Sequence, residues 1–362
     1  MENMSFAPSE MLALLNPIIH FIRSVWNRSR QSPGWTVFAL LFLGYLGLRL
    51  LAMTLVPLVP EEAYYWMYAQ HPELSYYDHP PMVAWVIGLG TSLFGHTEFG
   101  VRIIGHLLML AASGLMVRYG REWFSPAAGW VAAVLLQVLP VFAGVGFIAT
   151  MDAALVFFWM LGLVGLTVAL KDNRVGGWYV AGFALGAAML SKYTGIFLAF
   201  GTGLALLIHP PWRKHLRSCH PYLAALLAAA LFSPVIIWNA QHDWASFRFQ
   251  FVDRFDPGNS LSLRNILMFA LFQLMIISPI IGYAFGRISL RLLRAPRQAL
   301  TPPSLLLLVF SLPLFGAMAY KSLRYGIHIN WTLPAFLCML PAVSQWFMDR
   351  GLAERVRPDF VA

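Results

Sequence analysis

The chain has 362 residues, of which 59% are hydrophobic and 11% charged, with a formal net charge of +9. That balance excludes a soluble domain of this length, and the long apolar runs require a polytopic membrane protein. Nucleic acid is not the expected partner of the basic excess either, because the Lys and Arg residues lie in short loops between apolar runs, the pattern that sets membrane orientation.

The apolar runs are continuous and lack the period-two alternation of barrel strands, so the spanning units are predicted to be helices. In chain order, an amphipathic stretch comes first, over 10–26. Met11, Leu14, Leu15, Ile18, Ile22 and Val25 fall on one side of it and Arg23, Arg28 and Arg30 near its end. Residues 1–34 therefore read as a helix-bearing segment lying on the cytoplasmic membrane surface. A signal peptide fits less well, since Glu2 and Glu10 are acidic and no small-residue cleavage site follows.

Ten spans are then predicted: 35–56, 99–119, 127–147, 153–170, 178–190, 195–208, 222–238, 266–285, 304–319 and 332–348. Residues 82–94 are apolar but short and glycine-bearing, and read as a re-entrant or interfacial helix. Together 35–348 form one all-helical domain, followed by a cytoplasmic tail over 349–362. Cys219 falls in a basic loop and Cys338 in an apolar run, so no disulfide is expected.

With the N-terminus inside, most of the 25 Lys and Arg residues fall on the cytoplasmic side. Arg49, Arg102, Lys192, Arg248, Arg254, Arg264, Lys321 and Arg324 do not, and most of them lie at the outer face. There they meet carboxylates from segments far apart in sequence: Glu61-Glu62, the SYYDHPP run, Thr150-Met151-Asp152, Ser191-Lys192-Tyr193, the loop from Trp238 to Arg254, and YKSLRYGIHINW. Charges at a membrane edge are costly and mark a site by default.

Each piece has a plainer reading as well. Glu61 and Glu62 suit the N-terminus of a helix opening after Pro60, and Asp152 suits the start of the span behind it. Lys192 at a span end suits snorkelling to the headgroups. Tyr64, Tyr65, Trp66, Tyr68, Tyr76 and Tyr77 suit an interfacial aromatic belt. His79 and the pair His242-Asp243 suit solvated loops, and no His/Cys spacing suggests zinc. What separates the functional reading from these is coincidence on one face, since unrelated caps and snorkels would scatter over both.

A carboxylate beside a hydroxyl or amine takes its proton, while Lys, Arg and His stabilise charge developing on a leaving phosphate. The combination suits transfer of a group from a lipid phosphate whose polyprenyl tail lies between spans and whose phosphate sits at the depth of Lys192 and the arginines. Pro80-Pro81 would stiffen the loop presenting Asp78 and His79. Hard carboxylates at Glu61, Glu62 and Asp152 also suit magnesium or manganese, although nothing in the spacing requires a metal.

The sequence resembles the GT-C superfamily of membrane glycosyltransferases, family 39, related to protein O-mannosyltransferases and lipid A aminoarabinose transferases. The stretches that carry the resemblance are PEEAYYWMYAQHPELSYYDHPPMVAW, MDAALVFFW, LSKYTGIFL, SPVIIWNAQHDWASFRFQ and YKSLRYGIHINWTLPAF, in the same order. The resemblance implies a GT-C architecture with interfacial helices in the first outer loop. It also implies transfer of a sugar from a polyprenyl-phosphate donor to a lipid A-like or other envelope glycan acceptor on the periplasmic face of the inner membrane, with inversion.

By the same resemblance Glu61, Glu62 and Asp152 are the acidic catalytic positions, one of them the base or the group orienting the acceptor. Tyr77, Asp78 and His79 form the aromatic-acid-base element ahead of Pro80-Pro81, with His79 toward the donor phosphate. Lys192, Arg248, Lys321 and Arg324 hold that phosphate. Relatives commonly carry Asp-Glu where this chain has Glu61-Glu62, and commonly continue past the last motif, so the family's C-terminal part is expected to be missing here. The rival readings are a translocator of lipid-linked sugars, which would show two related halves that are not found, a protein O-glycosyltransferase, and a polytopic assembly or sensor protein.

Overall fold

The computed structural model describes residues 33–253, 262–324 and 329–350, which build helices and the turns between them, with no strand among the described residues. Of the predicted N-terminal surface segment only its last two residues fall within this range, and of the predicted tail only Asp349 and Arg350, so both expectations lie outside the described residues.

The first helix, α1 (Pro33–Leu55), is apolar nearly throughout and exposes Leu40, Leu41, Leu43, Leu48 and Leu51, as a helix facing lipid does. Two short helices follow, α2 (Pro60–Gln70) and α3 (Met82–Phe94). Next comes α4 (Glu98–Trp123), opened by Thr97, whose hydroxyl accepts from the Gly100 amide. Ser125 caps α5 (Pro126–Val138) in the same way through the Ala128 amide. Pro140 then starts α6 (Pro140–Val145), and Thr150 opens α7 (Met151–Leu170).

The chain returns as α8 (Gly176–Ser191), α9 (Ile196–Ile208) and α10 (His220–Gln241), then a short α11 (Ala245–Arg248) running into a π-helical turn over Phe249–Asp253. After the next described residue, Ser262, come α12 (Leu263–Ile277), α13 (Pro279–Arg294), α14 (Pro296–Ala299) and α15 (Pro302–Arg324). A 3-10 turn over Ile329–Thr332 leads to α16 (Leu333–Leu337) and α17 (Met339–Met348).

By length and composition, five helices among the described residues are long and apolar enough to cross a membrane, and up to seven if each of two bent pairs is one span. The predicted count of ten is not confirmed, and three of the predicted runs are interrupted for local reasons. The run 127–147 divides at Leu139-Pro140, where proline removes a helical hydrogen bond and clashes with the preceding turn. The run 266–285 straddles a 112° bend at Ser278, which takes positive φ ahead of Pro279. Residues 332–348 form a 3-10 turn and two short helices rather than one continuous span. The short helix expected over 82–94 is present as such.

The centre of the bundle is α7, where Leu155, Trp159, Met160 and Leu163 are buried. It lies against α8 with almost no side chain between: a Cβ on Gly165 would stand 2.8 Å from the Ala181 amide nitrogen, and one on Gly177 2.5 Å from the Gly165 carbonyl oxygen. Small residues at such a crossing let backbones approach, the usual basis of helix association in lipid. At the far end of these helices Lys171 reaches Glu122 at the end of α4, Nζ to Oε2 3.1 Å. The N-termini of α4 and α7 and the C-terminus of α8 therefore share the opposite end of the bundle.

Candidate active site

The first turn of α2 begins with Pro60, whose fixed φ suits a helix start, and places Glu62 where its side chain can reach back to the backbone before the helix. Glu62 does so, accepting from the Val59 amide at 3.0 Å. The same carboxylate accepts from Arg102 Nε at 2.8 Å and Nη2 at 2.5 Å, and from the Ala149 amide at 2.9 Å. Both Glu62 and Arg102 are fully buried. Four donors fill the lone-pair positions of one carboxylate, so Glu62 is committed to the fold rather than turned toward a substrate.

Asp152 sits one residue into α7, behind the cap Thr150, yet its carboxylate does not turn back to the helix backbone. One oxygen accepts from Lys192 Nζ at 2.8 Å and the other from Asn330 Nδ2 at 2.6 Å. Asp152 is 1% exposed and Lys192 7%. Lys192 follows the last residue of α8 in extended backbone, held by a turn in which Gly195 N donates to its carbonyl at 2.8 Å. The snorkelling reading of Lys192 is thereby replaced by a buried ion pair joining the start of α7, the end of α8 and the last of the sequence motifs.

Glu61, one residue from Glu62, is exposed. Its carboxylate accepts from the Tyr65 hydroxyl at 3.1 Å, and the Tyr65 oxygen lies 3.3 Å from His79 Nε2. With its own proton given to Glu61, Tyr65 accepts from His79, which requires the proton on Nε2. His79 Nε2 also lies 3.6 Å from Asp78, whose oxygens accept from Tyr68 and, at 3.2 Å, from Tyr64. Burial, then the charges of Glu61, Asp78 and Asp152, push the Tyr65 pKa up, so the phenol stays protonated and the three carboxylates act on one hydroxyl.

A third side of the cluster comes from the segment after α10. Gln250 donates to the Asp78 carbonyl at 2.5 Å, the Tyr77 ring lies 4.7 Å from that of Phe249, and Tyr193 shares a 2.7 Å hydrogen bond with Ser246. Trp244, at positive φ, turns the chain into α11, which carries the exposed Arg248. Lys321 is buried near the end of α15 with its ammonium 3.4 Å from the centre of the Trp331 ring. Arg324 ends α15, and its side chain lies outside the described residues.

The structure thus joins Asp152 with Lys192, and Glu61 with Asp78 and His79 through Tyr65, while it draws Glu62 away into the fold. Among the described residues no group of three or more His, Cys, Asp or Glu is placed to hold a metal ion. Sequence reasoning gave no role to Asn330 and read Tyr65 only as part of a belt. Arg102 stood out there solely as a cation on the wrong side of the membrane, which was the available signal.

Comparisons with known proteins agree with this framework. A family model described as "Dolichyl-phosphate-mannose-protein mannosyltransferase" matches residues 78–238, a segment that holds Asp78, His79, Asp152 and Lys192. The chain is similar to the lipid A galacturonosyltransferase RgtD of Rhizobium johnstonii, 28% identical over 279 residues, covering 76% of this chain and 58% of that protein. It is also similar to the undecaprenyl phosphate-alpha-4-amino-4-deoxy-L-arabinose arabinosyl transferase 2 of Pseudomonas fluorescens strain Pf0-1, 32% identical over 154 residues, 41% of this chain and 27% of that one.

In fold it matches ArnT from Cupriavidus metallidurans bound to undecaprenyl phosphate, with a TM-score of 0.68 at 20% identity over 87% of this chain and 60% of that chain. The apo form of the same protein matches with the same TM-score over 90% of this chain and 62% of that one. The chain therefore spans less than two thirds of the length of each of these relatives. By the order of its motifs and the matched segment 78–238 the chain is similar to membrane glycosyltransferases related to protein O-mannosyltransferases and lipid A aminoarabinose transferases, and its helical framework is the GT-C membrane fold of ArnT.

Proposed function

We propose that this chain transfers a sugar from a polyprenyl-phosphate-linked donor to a lipid A-like or other envelope glycan acceptor, at the periplasmic face of the inner membrane and with inversion. The observation that carries the reading is the buried Asp152–Lys192 pair beside the Glu61–Tyr65–His79–Asp78 chain. An acid-and-cation cluster at one end of a lipid-facing bundle is what a reaction between two membrane-anchored substrates needs. The names of the relatives, a lipid A galacturonosyltransferase and undecaprenyl phosphate-dependent aminoarabinose transferases, support the substrate classes.

In this reading an acceptor oxygen attacks the anomeric carbon from the side opposite the phosphate. The bond from that carbon to the phosphate oxygen breaks, and its electron pair leaves on the lipid phosphate. Where the acceptor is a hydroxyl, its proton passes to Glu61, the exposed carboxylate of the acidic pair. Lys192 spends one of its three N–H donors on Asp152 and offers the others to the leaving phosphate, with Arg248, Lys321 and Arg324 as further cations. Asp152 aims Lys192, and Asn330 aims Asp152.

The test is to incubate the purified protein with a labelled polyprenyl-phosphate sugar and an envelope lipid extract. Label is expected to move covalently to a glycolipid product, in an amount that depends on Asp152. Label that stays on its polyprenyl carrier, or crosses a vesicle membrane still attached to it, would contradict the transferase reading and favour translocation.

A further inference from the structure

We infer that Arg102 is a positioning residue for the transfer reaction, fixing the separation of Glu61 and Asp152 through Glu62 and the Ala149 amide. The inference rests on the transferase reading above. Arg102 lies in the first turns of α4 and is 1% exposed. A guanidinium carries five N–H donors in a rigid fork, and here all five find acceptors. Nε and Nη2 reach the two oxygens of Glu62. Nη2 also reaches the Pro57 carbonyl at 3.0 Å, and Nη1 the Val56 carbonyl at 2.6 Å and the Met53 carbonyl at 3.4 Å.

Those three carbonyls lie at and just past the end of α1, where the last turn of a helix leaves acceptors without partners. The fifth neighbour, Phe147, stands with its ring centre 4.9 Å from the guanidinium carbon. One cation thus binds the end of α1, the start of α2 and the segment entering α7 to the start of α4.

The path from Glu61 to Asp152 is short. Glu61 is bonded to Glu62, Glu62 Oε1 accepts from the Ala149 amide at 2.9 Å, and Ala149 precedes Asp152 by three residues. Arg102 grips both oxygens of Glu62, and Glu62 Oε1 in turn holds the Ala149 amide. Lysine would keep the charge but present three donors from a single nitrogen, so it cannot span two carboxylate oxygens and three carbonyls together. The lysine variant therefore separates the fork from the charge.

The experiment uses full-length Arg102→Lys in detergent micelles and reads both amide hydrogen exchange and transfer kinetics. Exchange is expected to rise in the segments holding Val59 and Ala149 while α8 keeps wild-type protection, and kcat to fall at least tenfold with the donor KM changed by less than threefold. Unchanged exchange in both segments overturns the clamp. So does a kcat within twofold of wild type, or a loss of kcat accompanied by lost protection throughout the bundle, which would mark a merely structural residue. Raised exchange confined to the two segments, in a protein whose wild type transfers no label, upholds the clamp and overturns the transferase reading instead.

Discussion

Glu61 and Glu62 are neighbours in sequence with opposite surroundings, one exposed beside Tyr65 and one sealed around Arg102. Their amide variants are therefore expected to fail in different ways. Glu61→Gln should keep its melting temperature in detergent and lose transfer by about 10²-fold or more, the range for removing a general base. Glu62→Gln leaves the Arg102 charge buried without its counter-charge and should cost about 3–5 kcal/mol of stability, read as a lowered melting temperature. Equal melting temperatures for both variants would contradict the division. Lys192→Ala should weaken donor binding about tenfold, the worth of one charge-assisted hydrogen bond, in a titration with the polyprenyl-phosphate sugar. Unchanged affinity would remove Lys192 from the phosphate site. At this scale the sequence disclosed the residue types well, because charge beside a membrane is rare enough to count. It did not disclose which of two adjacent carboxylates is turned inward, because that depends on Arg102, forty residues away in the chain and visible only in three dimensions.

Among the helices, α7 and α8 decide whether Asp152 and Lys192 meet, since each carries one partner at the same end of a backbone-close pair. Gly177→Ala places a methyl group 2.5 Å from backbone atoms of α7, which cannot give way as a flexible side chain can. The substitution should cost about 1–3 kcal/mol and lower transfer through the displaced ion pair. A variant with wild-type melting temperature and transfer would show that the helices tolerate separation. The long uninterrupted spans were legible from apolar length alone, as α1, α4, α7, α10 and α15 show. The broken segments were not: hydropathy continues unchanged through Pro140 and through Ser278-Pro279, while the backbone turns there. Apolar length measures what lipid accepts, and the bend is set by a missing amide and a strained φ that a hydropathy window averages away.

For the molecule as a whole, sidedness links the fold to the chemistry. The cluster occupies the end opposite Lys171 and the basic loop around Arg213, Lys214 and Arg217, and the proposed orientation, argued from the positive-inside rule, has those cations in the cytoplasm. Cys219, exposed in that same basic region, gives a native probe, while Cys338 is buried and silent. A membrane-impermeant maleimide is expected to label Cys219 in inverted vesicles and not in intact spheroplasts; the reverse pattern would turn the active cluster to the cytoplasm. If acids and cations from separate segments form one sugar-transfer site, single-turnover transfer of labelled sugar must differ between the wild type and folded, membrane-inserted Asp152→Asn. Labelled glycolipid is expected from the wild type, and from the variant a rate at least a hundredfold lower. Equal rates in the two proteins would contradict a single sugar-transfer site.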